Sequence, residues 1–235
     1  MADLSAFPIT ARWPAKDPSV IQLYAYPTPN GVKASIALEE MGLAYEPHLV
    51  TLADKDVKSP EFLSLNPNNK IPAIIDPNGP DGEPIGLWES GAILLYLAEK
   101  SGKLIGKTAA DKAKITQWLM FQMGGVGPMF GQMGFFWKFA GKDIADDRPR
   151  NRYRDEAIRL LAVIEQQLEG QDWIAGDFSI ADIALAPWIN ALEFYGTKNE
   201  VGYHDLKNVP AYVERFYARP AVDRAKRIPD PSSAS

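Results

Sequence analysis

The stretch from Asn66 to Leu97 reads NPNNKIPAI, a turn-rich gap, then LWESGAILLYLA, and few folds accommodate those parts in that order. The apolar run interrupted at Ile71-Pro72 describes a strand whose entry is bent at a proline, an ordinary place for proline in a sheet. Glu89-Ser90 falls where a second strand gives way to a helix. A strand edge and a helix N-terminus are thereby brought side by side. The helix start offers unpaired N–H groups and the positive end of a dipole, which favour a carboxylate. Glu89 can hold an ammonium, and the main chain at Ile71 can pair with an amide. A small zwitterionic peptide carries those three groups together. Taken singly, each part has a plainer reading: Ser90 or Glu89 capping a helix, or a proline opening a strand.

Around this stretch the chain alternates strand and helix signals up to Gly102. Ile21, Leu23 and Ala25 alternate with Gln22 and Tyr24, as a strand does, and YPTPNG breaks the pattern as a turn. Ala34, Leu38 and Met41 recur at helical spacing, and Gly42 ends that helix as a C′ residue. Further strands fit 45–52, 72–76 and 84–88, with helices at 58–65 and 89–100. The resulting order, βαβαββα, specifies an α/β layer. Beyond Gly102 the strand signals stop, and 109–123, 126–140, 149–169, 180–195 and 208–218 read as helices. Leu160, Leu161, Ile164 and Leu168 form the clearest apolar stripe. SIAD at 179–182 is a reciprocal capping signal that serves folding. The expected organisation is a flexible arm over 1–19, an α/β domain over 20–102, a linker over 103–108, an all-helical domain over 109–228 and a frayed tail over 229–235.

Composition excludes several function classes. With 235 residues, 46% hydrophobic, the chain can bury one large or two ordinary cores, and two domains are expected. The formal charge of −5 comes without clustered lysine or arginine, so there is no footprint for nucleic acid or an anionic membrane. No apolar run is long enough to span a bilayer and the N-terminus lacks a signal-peptide pattern, which places the protein in the cytoplasm. The two histidines, His48 and His204, have no ligand spacing around them, so no metal is expected. Zero cysteines remove disulfides and any protein-borne thiol. Thiol chemistry here needs a sulfur supplied by the ligand.

TPNG after the first strand, KIPAI before the third, ESGAILLYLAEK at the third helix and SIADIA in a helical second half resemble the glutathione S-transferase superfamily over residues 20 to 225. PTPNG with SPEFLSLNPNNKIPAI and GGVGPM resembles, more narrowly, its nu-class and Ure2-like branch, whose bacterial members include glutathione-dependent disulfide reductases. The resemblance implies a thioredoxin-like first domain, glutathione as co-substrate and a homodimer. It implies a cis Ile71-Pro72 bond that presents the Ile71 N–H and C=O to the cysteinyl amide of glutathione. Glu89 would hold the γ-glutamyl ammonium and Ser90 its carboxylate. Thr28 and Asn30 fill the position where thioredoxin-like relatives carry a cysteine pair. A hydroxyl and an amide cannot form a disulfide, but both can donate hydrogen bonds to a thiolate.

A free thiol of pKa about 8.5 is about 3% ionised at pH 7, and lowering it by ~1.5 to 2 units makes roughly half of it thiolate. Two donors and a helix end can supply the ~2 to 2.7 kcal/mol this requires. The plain alternative is that Thr-Pro-Asn-Gly is a β-turn. Lys70 and Lys58 are candidates for the glycine carboxylate of glutathione, although the polar residue that relatives carry near Val57 is missing here. Arg152 aligns with an arginine that contacts a second glutathione, and equally suits a solvated helix face. Tyr24, Tyr26, Tyr153 and Tyr195 are candidate acids, and Met129, Phe130, Met133, Phe135, Phe136 and Trp137 are either an acceptor wall or core.

Three functions follow. The first is a glutathione-dependent disulfide-bond oxidoreductase acting on a small disulfide. The second aims the same thiolate at carbon, conjugating glutathione to an electrophile or cleaving a thioether. The third is a non-catalytic glutathione-binding regulator, against which the short leader, poor in asparagine and glutamine, argues.

Overall fold

The computed structural model describes residues 4–233, so the extreme ends of the expected arm and tail lie outside the described residues. In chain order the first elements are α1 (Ile9–Arg12), β1 (Ile21–Ala25), α2 (Gly31–Met41) and β2 (Tyr45–Leu49). Next come α3 (Asp54–Val57), α4 (Pro60–Leu65), β3 (Ala73–Asp76), β4 (Ile85–Trp88) and α5 (Ser90–Ser101). The βαβαββα order expected over this region is present, with its second helix divided in two where Ser59 and Pro60 start a new turn. The Ser59 hydroxyl accepts from the Phe62 N–H at 3.2 Å, and Pro60 occupies the first helical position, where its missing N–H costs nothing. α2 ends at Gly42, whose φ of 70° is the left-handed conformation the C′ position asks for.

The sheet order is β2-β1-β3-β4. β1 and β2 are parallel, and β3 is antiparallel to both β1 and β4. Every residue of β1 and β3 is buried, because these two central strands are covered on both faces. One face carries α2 and α5. The other carries α3 and α4 over a cluster containing Tyr24, Val50, Val57, Phe62, Leu65, Ile71, Ala73 and Ile75.

The same cluster corrects the reading of the leader as a surface arm. Leu4 and Ile9 are buried in it, and Phe7, Trp13 and Ala15 pack against it. Polar contacts fix the segment as well: the Trp13 indole N–H donates to the Leu49 carbonyl at 3.1 Å, and Arg12 pairs with Asp56 at 2.6 Å. A one-turn helix is too short to display a hydrophobic period, so its apolar residues gave no pattern to read.

The remainder forms α6 (Ala109–Phe121), α7 (Gly127–Trp137), α8 (Asp147–Gln167), α9 (Ile180–Tyr195), α10 (Asn208–Tyr217) and α11 (Pro220–Ala225). α6 runs into α7 through a π-helical turn, Gln122–Val126. The capping box at α9 is present, and its Asp182 is fully buried. Asp182 accepts from the Ile174 N–H at 2.9 Å and the Tyr212 hydroxyl at 3.1 Å, so it also ties α9 to α10. Burial pushes its pKa up to about 6 against the pull of these bonds.

The chain divides into two units, Met1–Lys103 with Pro220–Ser235, and Leu104–Arg219. The end of the chain, grouped by sequence with the helical half, therefore belongs to the first unit: α11 packs on α2, and the Ser35 hydroxyl donates to the Ala225 carbonyl at 3.1 Å. Among the described residues no helix is long and apolar enough to cross a membrane.

The placement of the leader gives a direct test. Ile9→Ala should cost about 2 to 4 kcal/mol in urea unfolding, as for other fully buried isoleucines, whereas a solvated arm would give a change within about 0.5 kcal/mol.

Candidate functional site

Strand register assembles the site. Tyr24 of β1 stands opposite Ala73 of β3, and Ala73 stands opposite Trp88 of β4. The end of β1, the start of β3 and the end of β4 therefore lie side by side on one edge of the sheet. The loop Tyr26–Asn30 follows β1, Glu89-Ser90 follows β4 and the Ile71-Pro72 pair leads into β3. The register alone makes them neighbours.

The Thr28 loop is tightly wound. The Thr28 N–H donates to the Tyr26 carbonyl at 2.7 Å, and the Thr28 carbonyl accepts from the Val32 N–H at 3.0 Å. The Thr28 hydroxyl accepts from the Gly31 N–H at 3.2 Å and so keeps its own hydrogen to donate. A Cβ at position 31 would lie 1.8 Å from the Tyr26 carbonyl oxygen and 3.4 Å from the Ile71 side chain. Only glycine permits that approach, which brings the start of α2 against Ile71. Thr28 and Asn30 are both half-buried.

The Ile71-Pro72 bond is cis, as the resemblance implied. Ile71 and Pro72 are buried, and among the described residues neither the N–H nor the C=O of Ile71 has a hydrogen-bond partner. The preceding loop is held by Asn66, only 2% exposed. Its side chain accepts from the Asn68 N–H at 2.9 Å and donates to the Lys70 carbonyl.

Glu89 is exposed and has φ 71° and ψ 113°, a conformation a residue with a side chain adopts at a cost of about 1 to 3 kcal/mol. Ser90, the first residue of α5, is buried. Its hydroxyl accepts from the Nζ of Lys33 at 3.4 Å, and Lys33 is itself completely buried near the start of α2. The starts of α2 and α5 therefore meet through a lysine and a serine.

The N-terminal domain model of glutathione S-transferases matches residues 19–99, and the C-terminal domain model matches 132–220. The disulfide-bond oxidoreductase YfcG of Escherichia coli is 43% identical over 208 residues, 88% of this chain and 94% of that one. The chain belongs to the glutathione S-transferase family.

Two solved glutathione transferases match almost end to end. That from Burkholderia graminis, with two glutathione molecules bound per subunit, has a TM-score of 0.96 at 60% identity, covering 98% of this chain and 97% of that one. That from Pseudomonas putida, with one glutathione disulfide bound per subunit, has a TM-score of 0.95 at 56% identity, covering 97% and 99%.

Of the residues expected from sequence, Thr28, Asn30, Ile71, Pro72, Glu89 and Ser90 share the sheet edge of this transferase. Lys70 adjoins them and is exposed, whereas Lys58 is engaged with Asp54 at 2.8 Å. Arg152 belongs to the helical unit, where it is exposed and stands 3.8 Å from Glu156. Tyr24 is no candidate acid: it is wholly buried, stacked on His48, and burial pushes its pKa well up. Tyr153 stacks on Phe136, and burial also raises the pKa of Tyr195. The aromatic cluster divides, with Phe130 and Met133 in the core and Phe135 exposed.

Lys33 and Asn66 were missed by sequence reasoning. Lys33 could have been noticed as the one cation in a helical run, Gly31–Leu38, that is otherwise apolar or small. Asn66 carries the Asx-turn signature of Asn-Pro-Asn-Asn. Among the described residues no group of three or more His, Cys, Asp or Glu side chains is placed to hold a metal.

The strain at position 89 is measurable. Glu89→Gly should raise stability by about 1 kcal/mol in denaturant unfolding, since glycine adopts a positive φ without penalty. A loss of stability would show that the Glu89 side chain contributes more to folding than its backbone costs.

Proposed function

We propose that this transferase is a glutathione-dependent disulfide-bond oxidoreductase in which Thr28 and Asn30 stabilise the thiolate of bound glutathione. The observation that carries the reading is the shared edge at Tyr24, Ala73 and Trp88, in a chain without cysteine. It sets the donors of the Thr28 loop beside an unengaged main chain at Ile71 and the start of α5. The names and bound ligands of its relatives support the same chemistry.

In this reading the Ile71 N–H and C=O pair with the cysteinyl amide, Glu89 takes the γ-glutamyl ammonium and Ser90 its carboxylate. The Thr28 hydroxyl, already accepting from Gly31, directs its hydrogen at the sulfur. The glutathione thiolate attacks one sulfur of a small disulfide, forming a mixed disulfide and releasing a thiolate. A second glutathione thiolate then attacks the glutathione sulfur of the mixed disulfide, giving glutathione disulfide and the second thiolate. Two glutathiones are oxidised, one disulfide is reduced, and the two glutathione protons end on the two product thiols. Lys70 would take the glycine carboxylate, and Arg152 would contact a second glutathione.

Turnover of hydroxyethyl disulfide with glutathione tests the reading, and a rate equal to the uncatalysed background would overturn it. Formation of a thioether, without glutathione disulfide, would instead assign conjugation. Thr28→Val and Asn30→Ala should each lower kcat/KM by about 10 to 100-fold, a loss of about 1.4 to 2.7 kcal/mol of transition-state stabilisation. Each should also move the thiol-dependent rise of the pH–rate profile to higher pH, because a thiolate with fewer donors forms less readily.

The family relationship also supports a homodimer. Size-exclusion chromatography with light scattering should give twice the 26.0 kDa of one chain, and a concentration-independent monomer would overturn that expectation.

A further inference from the structure

Lys33 has no role in the function proposed so far, and its position asks for one. It is completely buried, its Nζ lies 3.4 Å from the Ser90 hydroxyl, and it sits in the first turn of α2. An ammonium taken out of water destabilises a fold unless charged or polar partners compensate. A cation at the start of a helix also opposes the helix dipole. The sequence positions around it, Val32, Ala34 and Ile36, are apolar and buried, so packing alone would be served better by an apolar side chain.

Resting on the reading of this edge as the glutathione site, we propose that Lys33 is a positioning residue for the γ-glutamyl carboxylate of the bound tripeptide. It acts through Ser90 in two ways. A hydroxyl that accepts from an ammonium turns its own hydrogen away from that ammonium, which fixes the direction in which Ser90 donates. The buried positive charge also lies directly behind that hydroxyl and adds to the favourable field of the α5 N-terminus, in a setting where water screens it little.

The groups surrounding Lys33 make its charge responsive to the ligand. At the start of α5 it meets the Ser90 hydroxyl and feels the Glu89 carboxylate. The charged residues of α11 are engaged elsewhere, Arg224 with Glu39 at 2.9 Å and Asp223 with Lys226 at 2.5 Å. Burial pushes the Lys33 pKa down to about 7, against the raising influence of Glu89. A carboxylate bound at Ser90 raises that pKa, so binding takes up a proton on Lys33 near neutrality. The contribution of Lys33 to affinity is therefore complete below pH ~7 and is lost as pH rises through the higher pKa of the complex.

S-methylglutathione, which has no thiol to titrate, isolates this effect in isothermal calorimetry between pH 6 and 9. Lys33→Met should weaken binding about tenfold at pH 6.5, with the ratio of its Kd to that of the wild type shrinking toward one at pH 9. The amine of the ligand titrates identically in both proteins and cancels in that ratio. Lys33→Gln keeps a donor but not the charge, and it should lose the same pH dependence while recovering part of the affinity. A thermal melt at or above that of the wild type would show that Lys33→Met is folded. A ratio within twofold of one at every pH, with clear binding by the wild type, would overturn the role of Lys33 alone. Absence of binding by the wild type would overturn the glutathione site and this role together.

Discussion

Three backbone positions in one row, Tyr24, Ala73 and Trp88, are the constraint on which the rest of the molecule turns. Side chains alternate along a strand, so slipping β3 by one residue would move Ala73 and Ile75 out of the cluster under α3 and α4 to the opposite face and put Ile74 in their place. The cluster beneath the sheet therefore enforces the register. The register in turn decides that the Thr28 loop, Ile71-Pro72 and Glu89-Ser90 emerge together. Core packing and site assembly are in this sense a single requirement. The leader takes part in both, since Leu4, Phe7 and Ile9 pack on the same cluster that contains Ile71.

Two costly features occur at this edge. Glu89 occupies a positive-φ backbone conformation, and Lys33 is an ammonium sealed in the interior. With its pKa pushed from the ordinary 10.5 to about 7, Lys33 binds fewer protons in the folded chain than in the unfolded chain between those values. Stability from this group therefore falls as pH decreases across that window. Both costs fall where the start of α2 meets the start of α5. Another buried charge, Asp182, is compensated by several donors and joins α9 to α10, as a folding element does. The contrast separates a charge that joins two helices of the all-helical unit from one that meets Ser90 at the start of α5.

Most of the fold could be read from the sequence because its elements are long enough to show a period or are bounded by strong punctuation. β1 alternates, α2 closes at Gly42, and α9 opens with a capping box. The reading failed where those signals are missing. The single turn Ile9–Arg12 has no period, and α11 reads simply as one more helix, because nothing local states that it returns to α2. At the site, Thr28, Ile71 and Glu89 were legible as motif residues. Lys33 was not, because a lysine in a helix is ordinarily solvated, and its burial follows from α5 closing over α2, a tertiary fact.

The absence of cysteine shapes the chemistry that this edge can perform. A protein-borne thiol pair would make the resting enzyme itself subject to oxidation, and its potential would be set by the strain and environment of its own disulfide. On the function proposed above, the ligand brings the sulfur and the protein would contribute neutral donors and a helix end, whose hydrogen bonds would favour a thiolate without binding it covalently. Such a site controls ionisation and position. Glycine at position 31 is part of the same logic: a side chain there would collide with the Tyr26 carbonyl and push the donors of the loop away from Ile71. On that proposal the reactivity of the borrowed sulfur would depend on how closely two backbone segments approach, and that approach is set by the strand register beneath them.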